Sequence, residues 1–372
     1  MLAAPLNIVE LYAGTARSVE PFRQWQRCKV SLLVDNNKHA KQTYLFNHPN
    51  TPYVVRNLGR LKPGQLATLV GGRVDVLLGC PPCQGFSENG TREPGDTRNR
   101  HLHRFGVFAE ALKPLAIAME NVPVAATSQQ FSRFTQRIDA AGYQWTAGII
   151  NAALRGSAQC RHRLVFIAIR KDVKATPVFP DPAYGAAGRY FSYKDRTIRS
   201  IDSDRDAMLG VPSSLNAVCN SLPYQEDSLG PGVIPCVRDV LAGLPRLGTP
   251  TAVALSHIPW AHQAAQLRRM AKVPEGERWK GGKDHYSQSY GRLHRRGLAR
   301  TITTAFPNAG SGRFWHPTEN RALTLREAAR LQGYPDTFAF LPPYSRSAFL
   351  VGNALDAAIA NVTYEMVRAC LS

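Results

Sequence analysis

Along the first half of the chain, short apolar runs alternate with amphipathic stretches, and turn-forming residues separate them. Residues 6–12 read as a buried strand, followed by a glycine-containing turn and a helix through Trp25. Residues 30–34 form a second strand that ends in the acidic Asp35, and residues 74–78 a third that runs into Gly79-Cys80-Pro81-Pro82-Cys83. Residues 116–119 lead into Glu120-Asn121-Val122-Pro123, and residues 164–169 add a further strand. Strands alternating with helices predict a mostly parallel α/β sheet covered on both faces. In such sheets ligands sit beyond the C-terminal ends of the strands. The unusual clusters fall at those ends.

The pattern changes between residues 177 and 317, where Pro, Gly and Ser are frequent and periodicity is weak. This stretch predicts a second, irregular domain, and its aromatic residues Trp260, Trp279, Tyr286 and Tyr290 argue for folded structure over a loose insertion. Helical spacing returns at residues 322–332, and residues 348–371 predict a closing helix. The expected division is therefore a catalytic domain over residues 1–180 plus 340–372 and a smaller domain over 181–339. No internal repeat is evident.

Charge sharpens the picture. The 372 residues carry 46 Lys and Arg against 27 Asp and Glu, a net charge of +19. Residues 266–300 hold 10 Lys or Arg and 3 Asp or Glu, a local net of +7. A cationic surface of this size suits a polyanion, since each neutralised phosphate releases condensed counterions. Its plainer reading is a solvated surface that aids solubility. No apolar run approaches the roughly 18 residues of a membrane span. The first residues lack the pattern of a signal peptide, so a cytoplasmic protein with no membrane association is expected.

The 7 cysteines are odd in number and scattered, a poor disulfide framework that suits a reducing compartment. Cys80 and Cys83 form the one C-x-x-C spacing, but Cys219 and Cys236 do not supply the second pair that zinc would need. No metal is expected.

Around Cys83, two prolines stiffen the backbone before the thiol and Gly85 frees it afterwards. A thiol presented on such a strand-end loop is exposed and held in one orientation, as a nucleophile requires. An isolated cysteine is more often a small buried thiol; the loop chemistry reverses that preference. Arg161 and Arg163 alternate with Cys160 and His162, which predicts both guanidinium groups on one face of an extended segment. That arrangement reads as a charge clamp, or as a phosphate-contacting pair.

Pro82-Cys83-Gln84 with Gly85-Phe86-Ser87 closely resembles the nucleophile motif of the DNA (cytosine-5) methyltransferases of the bacterial modification-methylase type. Glu120-Asn121-Val122 resembles that family's Glu-Asn-Val motif, and Gln159-Cys160-Arg161-His162-Arg163 its Gln-x-Arg-x-Arg motif. The run from Leu323 to Pro335 is similar to the long motif before the C-terminus, and Gly352-Asn353-Ala354 to the final Gly-Asn element. The resemblance is weakest between residues 174 and 300. It implies an S-adenosylmethionine-dependent methyltransferase domain of Rossmann-like fold, with a target-recognition domain beside it and double-stranded DNA in the basic cleft between them.

It also implies roles. Carbon 5 of cytosine is a weak nucleophile; a Cys83 thiolate added to carbon 6 makes the ring an enamine whose carbon 5 can attack a methyl group. Glu120, protonated through burial, would hydrogen-bond cytosine N3. Arg163 would contact O2 and Glu120, with Arg161 supporting the loop. No side chain is assigned to removing the C5 proton, and a water is the expected base. The target base must first be flipped out of the stack, which costs a few kcal/mol.

For the cofactor, the resemblance implies Glu10, Tyr12, Ala13, Gly14 and Thr15 after the first strand, where the family usually carries Phe at Tyr12 and a second Gly at Ala16. Asp35 would accept from the ribose hydroxyls, with Asn36 beside it. Asn57 occupies the place of an adenine-contacting Asp, and Pro82 lines the same crevice. Residues 96–102 are similar to another cofactor-side motif with one extra residue, which points to Leu102. Asn353 and Leu355 would reach the methionine end, and S-adenosylhomocysteine would be the product. A monomer with a cognate restriction endonuclease as a partner is expected. The alternatives are a cytosine-5 methyltransferase acting on tRNA and a catalytically silent DNA-binding relative.

Overall fold

The computed structural model describes residues 4–82, 100–184, 231–281 and 289–372, together with the backbone of residues 189–191 and 198–200. Cys83 and residues 84–99 fall outside the described residues, as does Tyr286. The centre is a seven-stranded sheet of order β3-β2-β1-β4-β5-β8-β6. Its strands are β1 (Leu6–Leu11), β2 (Cys28–Asp35), β3 (Tyr53–Val55), β4 (Val76–Gly79), β5 (Ala116–Asn121), β6 (Tyr143–Asn151) and β8 (His162–Arg170). β1 to β5 pair in parallel, whereas β8 runs antiparallel to both neighbours. The predicted α/β architecture is present.

Side chains alternate across a strand, so each strand feeds two cores. Ile8, Val76, Leu78, Ala116, Ala118, Val165 and Ile167 turn to one face, where the C-terminal helix contributes Ile359, Val362 and Met366. Val9, Leu77, Ile117, Met119, Leu164 and Phe166 turn to the other, beneath Leu66 of α3 (Pro63–Val70), Phe105 and Phe108 of α4 (Arg100–Leu112) and Phe134 of α5 (Gln129–Ala140). Burying each such aliphatic or aromatic side chain contributes roughly 1.5–3 kcal/mol.

Two predicted helices differ. The helix expected through Trp25 is a 3-10 turn, Arg17–Val19, followed by the one-turn α1 (Glu20–Arg23). Pro21 has no amide hydrogen to continue a helix begun at Arg17, so the chain restarts there. The C-terminal helix is two, α10 (Tyr344–Asn353) and α11 (Ala357–Leu371). Asp356 breaks them: its carboxylate accepts from the Ala358 amide at 2.9 Å and from Ser157 Oγ at 2.9 Å, a cap that competes with helix continuation.

The irregular region is folded by short elements: α6 (Val237–Leu241), α7 (Pro250–Ala254), α8 (Ala264–Ala271), β11 (Gly291–Arg292), β12 (Ala299–Arg300), β13 (Arg313–Trp315) and α9 (Leu325–Leu331). A half-buried indole and a buried guanidinium cross-tie them, with Trp260 Nε1 donating to the Leu323 carbonyl and Arg292 to those of Val273, His316 and Met270. A third core joins Ala158, Val237, Ala299, Phe314, Leu331, Ala348 and Val351. β12 pairs with the two-residue strand β7 (Gln159–Cys160). This core draws residues from both sides of the divisions expected at 180/181 and 339/340. No helix among the described residues is long and apolar enough to cross a membrane.

Candidate active site

β1 has β2 on one side and β4 on the other, so the strand order turns about it and leaves a crevice at the C-terminal edge. The loop leaving β1 takes left-handed backbone at alternate positions: Tyr12 (φ 58), Gly14 (φ 53) and Ala16 (φ 52). For residues with a Cβ this costs roughly 1–2 kcal/mol each. Hydrogen bonds hold the shape. The Gly14 amide donates to Asp35 Oδ2 at 3.0 Å, and Tyr53 Oη donates to the Gly14 carbonyl at 2.7 Å. The Ala16 amide closes onto the Ala13 carbonyl at 2.6 Å, and the Tyr12 hydroxyl meets His101 Nδ1 at 3.2 Å.

A Cβ built on Gly14 would meet nothing among the described residues within 4 Å, so the loop faces open space there. Asp35, ending β2, borders that space. Burial pushes its carboxyl up, opposed by hydrogen bonds from the amides of Gly14, Asn37 and Asn36. Asn36 and Asn57 are exposed beside it, the latter accepting from the Gly59 amide at 2.9 Å. Glu10 lies beneath the loop, 1% exposed, and burial pushes its carboxyl up to about 8.

Three expected contacts look different in place. Leu102 is 1% exposed within the core below the sheet, so its side chain offers a ligand no surface. Thr15 is buried, and its hydroxyl pairs with Tyr334 Oη at 2.5 Å. Leu355 belongs largely to the core with α11, whereas Asn353 at the end of α10 is exposed.

At the ends of β4 and β5 the second part of the site assembles. Pro82, half-buried, is the last described residue before Cys83. Asn121 Nδ2 donates to the Pro81 carbonyl at 3.2 Å, and Asn121 Oδ1 accepts from the Val122 amide at 2.9 Å. This amide therefore fixes the approach to Cys83 from the neighbouring strand. Glu120, on the same strand end, pairs with Arg163 at 2.8 Å between Oε1 and Nε. Cys80 lies beside this pair: burial, then the charges of Glu120 and Glu10, push its thiol well up.

Arg161 and Arg163 reach different partners among the described residues. Arg161 donates to the carbonyls of Ile302 at 3.4 Å and Ala354 at 3.1 Å, tying β7 to the third core and the α10–α11 junction. The reason is the break between β7 and β8 at residue 161, which ends the strict alternation of one continuous strand. The expected pair is thus one partner of Glu120 and one structural tie.

Gln159 was not foreseen as a linchpin. Its side chain donates to the Leu331 carbonyl and Gln332 Oε1 and accepts from the Ile302 amide at 2.8 Å. Its place at the head of the Gln-x-Arg-x-Arg run was the available signal. Asn121 had only its place after Glu120. Tyr334 had its place in the run from Leu323 to Pro335, and Arg17 had no such signal.

The family model for C-5 cytosine-specific DNA methylase matches residues 6–368. Type II methyltransferase M.DdeI of Desulfomicrobium norvegicum is 27% identical over 90% of this chain and 80% of its own length. Type II methylase M.HgiDII of Herpetosiphon aurantiacus is 26% identical over 90% of this chain and 87% of its own. Among solved structures, a candidate DNA modification methyltransferase encoded within an E. coli prophage superposes with a TM-score of 0.67 at 21% identity, covering 98% of this chain and 99% of that one. The S. pombe Dnmt2 methyltransferase gives 0.64 at 14% identity, covering 99% and 100%. At these identities the superpositions speak for the fold alone.

Proposed function

The chain belongs to the C-5 cytosine-specific DNA methylase family, and on that premise we propose that it methylates carbon 5 of a specific cytosine in double-stranded DNA, with Cys83 as nucleophile and S-adenosylmethionine as methyl donor. The observation that carries the reading is the Glu120–Arg163 pair beside the Pro81–Pro82 turn that leads to Cys83.

The residues present fit the cofactor. Gly14 opens on space free of the described residues, Asp35 presents a carboxylate to hydroxyl donors, and the exposed amides of Asn36 and Asn57 stand beside it. Main-chain groups of Tyr12 and Ala13, with Pro82 and Asn353, complete the proposed crevice, and Glu10, Thr15 and Leu355 support it from below. When bound, S-adenosylmethionine supplies an electrophilic methyl group.

The protein's own residues do the rest. A target base flipped from the duplex places its C6 at the Cys83 thiolate, and formation of the S–C6 bond moves electron density to C5. Glu120 hydrogen-bonds N3, and Arg163 keeps Glu120 oriented while its guanidinium faces O2. After C5 is methylated, its proton passes to water and the C6–S bond breaks, releasing Cys83. Arg161 acts as a positioning residue in this scheme. The basic stretch within residues 181–339 would hold the phosphates and read base edges. The Type II names of the two bacterial relatives support a partner endonuclease cutting the same unmethylated site.

Duplex DNA containing 5-fluorocytosine tests the reading, because a C5 fluorine cannot leave as a proton and the enzyme stays attached. A denaturation-stable adduct that needs S-adenosylmethionine and vanishes in Cys83→Ser is expected. Methyl transfer to tRNA alone would replace DNA as the substrate; binding without any adduct would mark a silent DNA-binding protein.

A further inference from the structure

We propose that Tyr334 and Arg17 are positioning residues that hold Ala16 in its left-handed conformation and thereby set the affinity for S-adenosylmethionine. The inference rests on the cofactor reading above and adds residues from the far end of the chain to it.

The β1 loop needs positive φ at three alternate positions, and only the middle one is a glycine. Tyr12 has a hydroxyl to anchor it, on His101. Ala16 has no polar side-chain group to add to its amide's bond to the Ala13 carbonyl, and it is fully buried at φ 52 and ψ 44. Its neighbours supply the restraint. Thr15 Oγ1 is hydrogen-bonded to Tyr334 Oη at 2.5 Å. Arg17 Nη2 donates to the Gly333 carbonyl at 2.8 Å, and its guanidinium carbon lies 4.4 Å from the centroid of the Tyr334 ring. Residues on both sides of Ala16 are therefore gripped by two consecutive residues, Gly333 and Tyr334.

The grip is itself fixed. The Gly333 and Tyr334 amides donate to the Arg330 and Ala329 carbonyls, ending α9. Gly333 has φ 77, and a Cβ there would come within 2.4 Å of Ala357 Cβ, at the start of α11. α9 packs into the third core through Leu325, Ala328 and Leu331. The cofactor loop is thus held in its binding shape from that core, before any cofactor arrives.

The consequence is a separable kinetic effect. Without the grip, Ala16 relaxes and the binding-competent loop becomes a fraction of the population; apparent affinity falls by that fraction. Bound cofactor restores the loop, so turnover at saturation is preserved. Glycine at position 16 would need no grip, since it takes positive φ without steric cost.

Binding of S-adenosylhomocysteine by titration calorimetry, with KM for S-adenosylmethionine and kcat on duplex DNA, tests this on the full chain. Tyr334→Phe should weaken binding about fivefold to tenfold, the worth of one neutral hydrogen bond, and raise KM equally with kcat within twofold. Thr15→Val deletes the same bond from the loop side and should reproduce the shift should Tyr334→Phe fold poorly. Adding Ala16→Gly to either variant should restore most of the affinity, a gain larger than the same change gives the wild type. Unchanged affinity in both single variants, an equal fall in kcat, or no restoration by glycine in a variant with wild-type Tm would each overturn the proposal. A wild-type chain that binds no S-adenosylhomocysteine would overturn the cofactor reading itself, a result distinct from any of these.

Discussion

Glu120 Oε1 lies 2.8 Å from Arg163 Nε, and the two side chains are 13% exposed each. They come from strands running in opposite directions, in a register that pairs Glu120 with Val165. The pair therefore stands at the active-site edge because β8 is antiparallel: its first residues reach the level at which β5 ends. A parallel β8 would have put Arg163 at the opposite edge of the sheet.

The first prediction follows from that pair. Glu120→Gln keeps the shape and loses the acid, and should lower kcat at least about 100-fold, the lower end of what a positioned acid contributes. Affinity for S-adenosylhomocysteine should stay within about twofold of the wild type, since Glu120 sits at the base side of the crevice. Single-turnover kinetics with calorimetry separates the two; parallel loss of both would show that Glu120 supports the fold of the site.

Two glycines provide a contrast for the second prediction. At Gly14 an added methyl meets no atom of the described residues within 4 Å but projects into the crevice at φ 53. Gly14→Ala should fold, at a cost of about 1 kcal/mol, and weaken S-adenosylhomocysteine binding at least about tenfold. At Gly352 the same methyl would lie 2.3 Å from the Thr304 amide nitrogen, so α10 cannot stay against residues 303–304. Gly352→Ala should lower Tm much more than Gly14→Ala does, by several degrees on thermal unfolding.

The strands and the acids at their ends were legible because buried strands show as apolar runs and their ends as abrupt polar residues; Asp35 and Glu120 were found this way. The closing helix was misread because Asp356 reads as an ordinary helix residue until Ser157 and Gln159 arrive from across the chain. Spacing alone predicts one strand with Arg161 and Arg163 on one face, and the break between β7 and β8 at residue 161 shows only once the fold is in place. The shared third core was invisible for the same reason. It is built from contacts far apart in sequence, such as β12 on β7, which no local period reports.

The third prediction concerns pH. Burial pushes the Glu10 carboxyl from 4.5 up to about 8, so the folded protein holds a proton that the unfolded chain releases. The resulting penalty is absent below pH 4.5, grows as pH rises to about 8 and is constant above that. Glu10→Gln removes the titration. In the cofactor-free protein its Tm should match the wild type near pH 4.5 and exceed it increasingly toward pH 8, with a gain at pH 7 on the order of a few kcal/mol. A Tm difference independent of pH would show that Glu10 does not titrate in this range.

The fourth prediction tests what holds the third core together. Arg321 grips Glu327 with two bonds of 2.7 Å, while Glu327 Oε2 also accepts from the Thr324 amide at 2.8 Å and so starts α9. Burial would raise the Glu327 carboxyl, and the Arg321 guanidinium overcomes it and holds the acid below its ordinary value. Because the folded value is depressed, the ion pair stabilises above pH 4.5 and that stabilisation is lost as pH falls through the folded value. Glu327→Gln leaves Arg321 without its main counter-charge and should destabilise by about 3–5 kcal/mol at pH 7, in urea denaturation. Replacing both with methionine should cost less than the single change, since no buried charge is stranded. The destabilisation by Glu327→Gln should also shrink in acid, where the wild type itself loses the pair. A single change no worse than the double one would show that the pair is replaceable and that α9 is held by its apolar face alone.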